Sequence, residues 1–256
     1  MASFLVFPTG FPVYINNYTK GLYDYIEGLP PGSIVAVSVD FSASAYDESG
    51  PVLEATVIHM FRRNLKLVFV GYNQDVPMLS EKALIKLARY TSNKVYGEDY
   101  VVLPYVVGAD TGLASFGRDP HGMFKKDYRG NDIDKLPLMD RVHHARDFSL
   151  AISYGAGQMG QAYVRQWHIP YGVKVADCGS ALFLANIITD YESGLIVGGA
   201  VAVRGAAEYE RLIGVLGDGT RNMDSINASH LMVVLAIAAA NVRFLWQKIR
   251  QQKKGC

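Results

Sequence analysis

The apolar positions of this chain fall into short runs separated by polar turns, and one late run is far longer than the others. Ile34 to Phe41 is β-branched and nearly continuous, the pattern of a strand covered on both faces. The same reading predicts strands over Leu67 to Tyr72, Tyr100 to Val107, Phe148 to Tyr154 and Val173 to Ala176. Between them, helical periodicity predicts Leu22 to Glu27, Val52 to Arg63, Ser80 to Thr91 with Ser80 as N-cap, and Gln158 to Trp167. The first of these helices is stopped by Gly28, Pro30 and Pro31. Strands alternating with helices require crossovers. The fold class expected is therefore α/β, a mainly parallel Rossmann-like sheet flanked by helices.

The long run, Ile226 to Trp246, is unbroken from Leu231 to Ala240. As a helix it spans about 30 Å, one hydrocarbon thickness, and is expected to cross a membrane as a C-terminal hydrophobic helix. Arg243 lies near its end, where a long side chain snorkels, and Trp246 suits the interface. The alternative is a buried core helix. Lys248, Arg250, Lys253 and Lys254 follow with no acidic residue. The positive-inside rule then places the tail in the cytoplasm and the preceding domain outside it. The N-terminal apolar stretch from Phe4 to Ile15 is too short and proline-rich to span. Export is expected to rely on an upstream anchor or signal, or on the C-terminal helix itself. The domain division is 1–20 for the apolar start, 21–217 for the α/β domain, and 218–256 for linker, membrane helix and basic tail.

Composition narrows the classes further. Half the residues are hydrophobic and 19% charged, which argues against disorder. With 25 basic against 24 acidic residues there is no global field for nucleic acid, and none is expected as a partner. Cys178 and Cys256 form no C-x-x-C pair.

Ligands of such sheets bind at the C-terminal strand ends. Here that edge comprises Asp40 to Asp47, Tyr72 to Asp75, Gly108 to Asp119, Gly155 to Gly160 and Asp177 to Ser180. The sharpest motif on it is Gly155-Ala156-Gly157-Gln158-Met159-Gly160, a G-x-G-x-x-G between a strand and a helix. Such glycines admit pyrophosphate to a helix N-terminus, and Asp177, 20 residues after Gly157, stands where a ribose-binding carboxylate would. NAD or another dinucleotide is the cofactor this alternative implies. Against it, the motif comes after three strands, not in the first βα turn, and an extracytoplasmic domain would not meet the dinucleotide pool. A structural turn is the competing explanation.

Other chemistry is sparse. Ser193 lacks a G-x-S-x-G elbow, and Cys178 has no base near it in sequence. His143 and His144 are adjacent and diverge on a helix, while His59, His121 and His168 are scattered. Asp127, Asp132 and Asp134 do not follow EF-hand order, because Gly130 precedes the last two. No metal site and no catalytic set is expected. Tyr14, Tyr18, Tyr23 and Tyr25 suit either core packing or an interface. Small residues Gly194, Gly198, Ala202, Gly205 and Ala206 permit close backbone approach, and Ser193 to Glu210 reads as a helix- or subunit-packing surface.

Several stretches together carry a resemblance. These are Leu29-Pro30-Pro31-Gly32-Ser33, Tyr96-Gly97-Glu98-Asp99-Tyr100, Asp127-Tyr128-Arg129-Gly130, Ser193-Gly194 and Gly205-Ala206-Ala207-Glu208-Tyr209-Glu210. Over Leu22 to Trp246 the chain resembles a family of uncharacterised prokaryotic membrane-anchored proteins. The resemblance implies an apolar helix after the Ala-Ala-Glu-Tyr-Glu segment and implies no activity. The function expected is a non-catalytic or ligand-binding subunit of a membrane-associated assembly, with other membrane subunits or further copies of itself as partners. The alternative is a nucleotide-dependent, oxidoreductase-like enzyme using Gly155, Gly157, Gly160 and Asp177. A hydrolase whose groups converge only in space is a third.

Overall fold

A computed structural model describes residues 12–155 and 159–254. Five strands form one parallel sheet in the order β3-β2-β1-β4-β5. They are β1 (Ile34–Asp40), β2 (Lys66–Val70), β3 (Tyr100–Val102), β4 (Leu150–Gly155) and β5 (Lys174–Asp177). The α/β expectation holds, and so does its reason. Alternate residues of each strand enter two separate cores. Val35, Val37, Val39, Leu67, Phe69 and Ile152 meet α1 (Asn17–Gly28), α2 (Tyr46–Arg62), α3 (Val76–Lys86) and α7 (Ala202–Leu212). Ala36, Val68, Val70, Ala151 and Val175 meet α4 (Ala109–Arg118), α5 (Met159–Tyr163) and α6 (Leu184–Glu192), together with the turns 133–147.

Several boundaries shift for local reasons. Helix α3 starts at Val76, with Pro77 in its first turn, so Ser80 lies inside it and donates to the Val76 carbonyl at 2.7 Å instead of capping. Strand β3 ends early because Pro104, just beyond it, has no N–H for the ladder. Helix α2 begins six residues before the expected start, and takes Pro51 into its second turn at the loss of one backbone bond. Helix α5 continues through a wide π-turn, Val164–His168, to Tyr171, and Gly172 at φ +74° closes it.

Of the two roles expected for Ser193 to Glu210, helix packing is the one seen within the chain. The small residues of this stretch are used inside the chain: a Cβ at Gly198 would overlap the backbone of Tyr18 and Leu22, and one at Gly205 would overlap Ala200. On α7, Glu208, Tyr209 and Glu210 are buried and reach three different elements. Glu208 accepts from the Asn16 backbone N–H at 3.0 Å and the Thr19 hydroxyl at 2.7 Å, at the start of α1. The Tyr209 hydroxyl meets His59 Nδ1 at 2.8 Å, and His59 Nε2 meets Glu27 at 2.7 Å. Glu210 accepts from the N–H groups of Gly217, Gly219 and Thr220 and from the Thr220 hydroxyl, at 2.6–3.0 Å. Those donors are the otherwise unpaired N–H groups of a helix start. The motif is thus a clasp on the final helix.

That helix, α8 (Asp218–Lys254), runs 37 residues. Thr220 and Asp224 are buried against the domain, whereas Leu231 to Leu235, Ile237 and Val242 to Trp246 stand exposed. The segment Asp218–Gln247 is long and apolar enough to cross a membrane, and its most apolar window is not buried in the protein. A core-helix role for this run is therefore excluded by its exposure. Of the four early tyrosines, Tyr18, Tyr23 and Tyr25 pack onto the cores and Tyr14 is exposed.

Candidate functional site at the strand switch point

In the order β3-β2-β1-β4-β5 the chain reverses its direction of travel between β1 and β4, and a crevice opens at their C-terminal ends. Asp40, the last residue of β1, stands level with Gly155, the last of β4. A Cβ at Gly155 would lie 2.8 Å from the Asp40 Cβ, and one at Gly71 would lie 2.6 Å from the Val39 carbonyl. Glycines on both neighbouring strands therefore make room for this one carboxylate. Asp40 accepts from the Tyr72 N–H at 3.0 Å, the Ser38 hydroxyl at 2.7 Å and the Ser153 hydroxyl at 3.1 Å. Burial raises its pKa to about 6 although these three bonds oppose the shift.

Around it lie poorly satisfied groups. Five buried side-chain polar atoms lack a hydrogen bond of good geometry among the described residues, and three of them belong to this edge: the hydroxyls of Tyr72, Tyr163 and Ser180, of which the first two approach each other and Tyr163 approaches Ser38 without the alignment of a full hydrogen bond. The Tyr72 and Tyr163 rings meet edge-on, 6.4 Å apart. Burial, and then the charge of Asp40, push the Tyr163 phenol up, so it stays a neutral donor. Ser180 is tied to the same place by its backbone bond to the Gly155 carbonyl. Asp40, Tyr72, Asn73, Gln74, Tyr105 and Met159 line an open cavity of about 410 Å³.

The residues singled out from the sequence arrive at this edge in part. Gly155 and Gly160 flank it, and Gly157 lies outside the described residues. Asp177 ends β5, as the dinucleotide reading requires, but its carboxylate is buried beneath Gly160, where any Cβ would strike it. Burial, then repulsion from Asp40 and Asp190, raises its pKa to about 8, and no hydrogen bond offsets the shift. The topology also answers one objection raised above. Strand β4 borders β1 and opens the second half of the sheet, so a glycine-rich turn after it stands at the switch point despite its late place in the chain.

No known family, characterised protein or solved structure matches the chain. The resemblance described above rests on its motifs alone.

Elsewhere the chemistry is structural. Cys178 is buried, accepts from the Ala200 N–H, and its thiol is pushed up by burial. Asp127 is buried and accepts from the Tyr96 hydroxyl at 2.7 Å and from Asn131, bracing its loop. His121 stacks on His143 and pairs with Asp134. Among the described residues no group of three His, Cys, Asp or Glu side chains is placed to hold a metal.

Asp40, Tyr72 and Ser180 fall within the edge segments expected from the sequence, though no role was read for them individually, and Tyr163 lies outside those segments. One signal was present: Ser38 and Asp40 are polar interruptions in an otherwise apolar two-sided strand. The other partners are joined only by the crossovers.

Proposed function

We propose that this protein is a membrane-tethered ligand-binding domain whose site is the β1/β4 crevice, and that it serves as a subunit of a membrane-associated assembly. The observation that carries the reading is the pair of Tyr72 and Tyr163 hydroxyls beside Asp40, buried and without a hydrogen bond of good geometry, at the edge where Asp40 and Tyr72 line an open cavity. Leaving a buried polar group unpaired costs about 1–3 kcal/mol, so two at one crevice mark a place where a bound molecule completes them. The basic tail after Trp246 favours a cytoplasmic C-terminus with the α/β domain on the other side. Assembly contacts fall to the exposed span, where Ala236, Ala239 and Ala240 allow close helix approach, and not to Ser193–Glu210.

Native mass spectrometry of the full chain in mild detergent tests this reading. A molecule retained by the wild type and lost from Asp40→Ala and Tyr72→Phe supports it. A wild-type chain that carries nothing out of the membrane contradicts it.

The second reading, a dinucleotide-dependent enzyme, draws support from the placement of Gly155 and Gly160 at the switch point. The buried Asp177, whose carboxylate lies under Gly160 and is not free to reach a ribose, counts against it. Calorimetric titration with NAD, NADP and FAD decides: saturable micromolar binding, about −8 kcal/mol, establishes it over the first.

A further inference from the structure

The direction of α8 fixes which edge of the domain faces the bilayer. Helix α7 begins beside Gly179 at the C-terminal edge of the sheet, where the Ala202 N–H donates to the Gly179 carbonyl at 3.2 Å. It ends at the opposite edge, where the Ile213 carbonyl accepts from Arg62 at the end of α2. The chain then turns, and α8 returns. Asp218 pairs with Lys86, which also holds Glu54 in the middle of α2. One turn later Asn222 stands beside Tyr46, Asp47 and Pro51, in the first two turns of α2. Since α2 follows β1, those turns lie at the crevice edge. Ile226 comes one further turn along, about 6 Å by helical rise. The unbroken exposed apolar run begins at Leu231, about 8 Å further on, and so starts just beyond the crevice edge.

The loops at this edge match that placement. Leu182, between β5 and α6, is 89% exposed, and Val107, between β3 and α4, is 72% exposed. Tyr105 is exposed at the cavity wall. The segments 41–45, 71–75, 103–109 and 178–183 contain no Lys or Arg. They offer nothing to pair with an anionic phosphate at close range. What the cavity offers instead is a carboxylate, two amides and aromatic rings with hydroxyls: Asp40, Asn73, Gln74, Tyr72 and Tyr105. Carboxylate and amide groups satisfy clustered hydroxyls, and aromatic rings cover the apolar face of a ring-shaped polyol.

We propose that the crevice binds the headgroup of a neutral, polyhydroxylated lipid, such as a glycosylated diacylglycerol, whose chains remain in the leaflet against which the domain sits. The proposal rests on the ligand-binding reading above and adds the source and chemistry of the ligand.

The test uses the full chain reconstituted in phosphatidylcholine vesicles with and without monoglucosyl diacylglycerol, read by hydrogen–deuterium exchange. Segments 71–75 and 103–109 are expected to exchange several-fold more slowly when the glycolipid is present, and phosphatidylglycerol is expected to give no such protection. Tyr105→Ala and Gln74→Ala, which alter exposed or partly exposed groups, should remove the protection while leaving exchange of β1 unchanged. Equal exchange with and without glycolipid overturns the proposal. If free methyl glucoside protects both segments and the glycolipid does not, the lipid inference fails while the binding reading stands. Spin labels at Val107 and Leu182 should lie nearer the bilayer than labels at Ile85 and Ile169. The reverse order would overturn the inference by itself.

Discussion

If the crevice holds poorly satisfied hydroxyls for a ligand, removing them should make the empty protein more stable. Tyr163 is buried and Tyr72 half-buried, and their hydroxyl oxygens, close to each other and to Ser38, form no hydrogen bond of good geometry among the described residues, so Tyr72→Phe and Tyr163→Phe delete a desolvated, poorly satisfied group without opening a cavity. An orphaned hydroxyl costs about 1–3 kcal/mol, and recovery of roughly 1 kcal/mol per substitution is a conservative expectation. For a domain of this size 1 kcal/mol moves the melting temperature by about 2–4 °C. The two rings touch, so the double variant should gain less than the sum of the singles. Differential scanning fluorimetry of the chain in detergent, without added lipid, measures this. A fall in melting temperature for either variant would refute the reasoning, because it would mean that the hydroxyl is already satisfied and serves structure, not binding. The trade expected is the familiar one at functional sites, where stability rises as binding is lost.

Other consequences follow from the rest of the structure. Glu210→Ala strips the acceptor from three N–H groups and a hydroxyl at the start of α8, and should cost roughly 3 kcal/mol or more, with faster amide exchange over 217–222. Gly198→Leu should prevent folding instead of dissociating a complex, since any Cβ there overlaps the α1 backbone; a folded variant of lower oligomeric mass would restore the subunit-packing role of that stretch. A chain ending at Ser225 should stay folded and leave the membrane fraction, because the apolar residues removed, Leu231 to Trp246, are exposed; aggregation with loss of a cooperative melt would contradict this. Asp177 carries a folded-state pKa of about 8 against an ordinary 3.8, so the folded protein binds a proton that the unfolded chain releases. Its contribution to stability is complete below the ordinary value and is lost as pH rises to about 8. Between about pH 7.5 and 8 Asp40 is ionised and His59, whose pKa burial lowers, is close to neutral in either state, while His121, whose pKa, against the lowering effect of burial, is raised by Asp134 and Met139, adds a slope of the same sign. In that window stability should fall by up to about 1.4 kcal/mol per pH unit, and Asp177→Asn should flatten the slope; an unchanged slope would show that another group sets it.

The sheet was legible in the sequence because two-sided burial leaves a continuous apolar run, and β1 was placed to within one residue of its end. The long helix was legible for a related reason, as no turn interrupts its apolar positions. Helix starts were less so. Ser80 has the side chain of an N-cap, yet the hydrophobic contacts of Val76 and Leu79 extend α3 past it. The glycines and alanines of Ser193 to Glu210 signal close approach without saying to what, and tertiary placement decides that the neighbours are α1, α2 and the root of α8. The site was half visible. Gly155, Gly160 and Asp177 form a local pattern, and strand–helix alternation puts Asp40 and Tyr72 on the same edge, but which of the edge segments are neighbours, and that Tyr163 joins them, depends on β1, β2 and β4 being adjacent in the sheet. Nothing in linear spacing records that adjacency.

The most direct test of the central claim is a thermal melt of the full chain in detergent, before and after adding neutral glycolipid extracted from membranes. A ligand that binds only the folded state raises its stability by RT ln(1 + [L]/Kd), about 2.7 kcal/mol at a hundredfold excess over Kd. The wild type should melt several degrees higher with the extract, whereas Tyr72→Phe, which starts from a higher melting temperature, should gain little. An extract that leaves the wild type unmoved, or that shifts both proteins equally, would contradict the assignment of the β1/β4 crevice as a binding site.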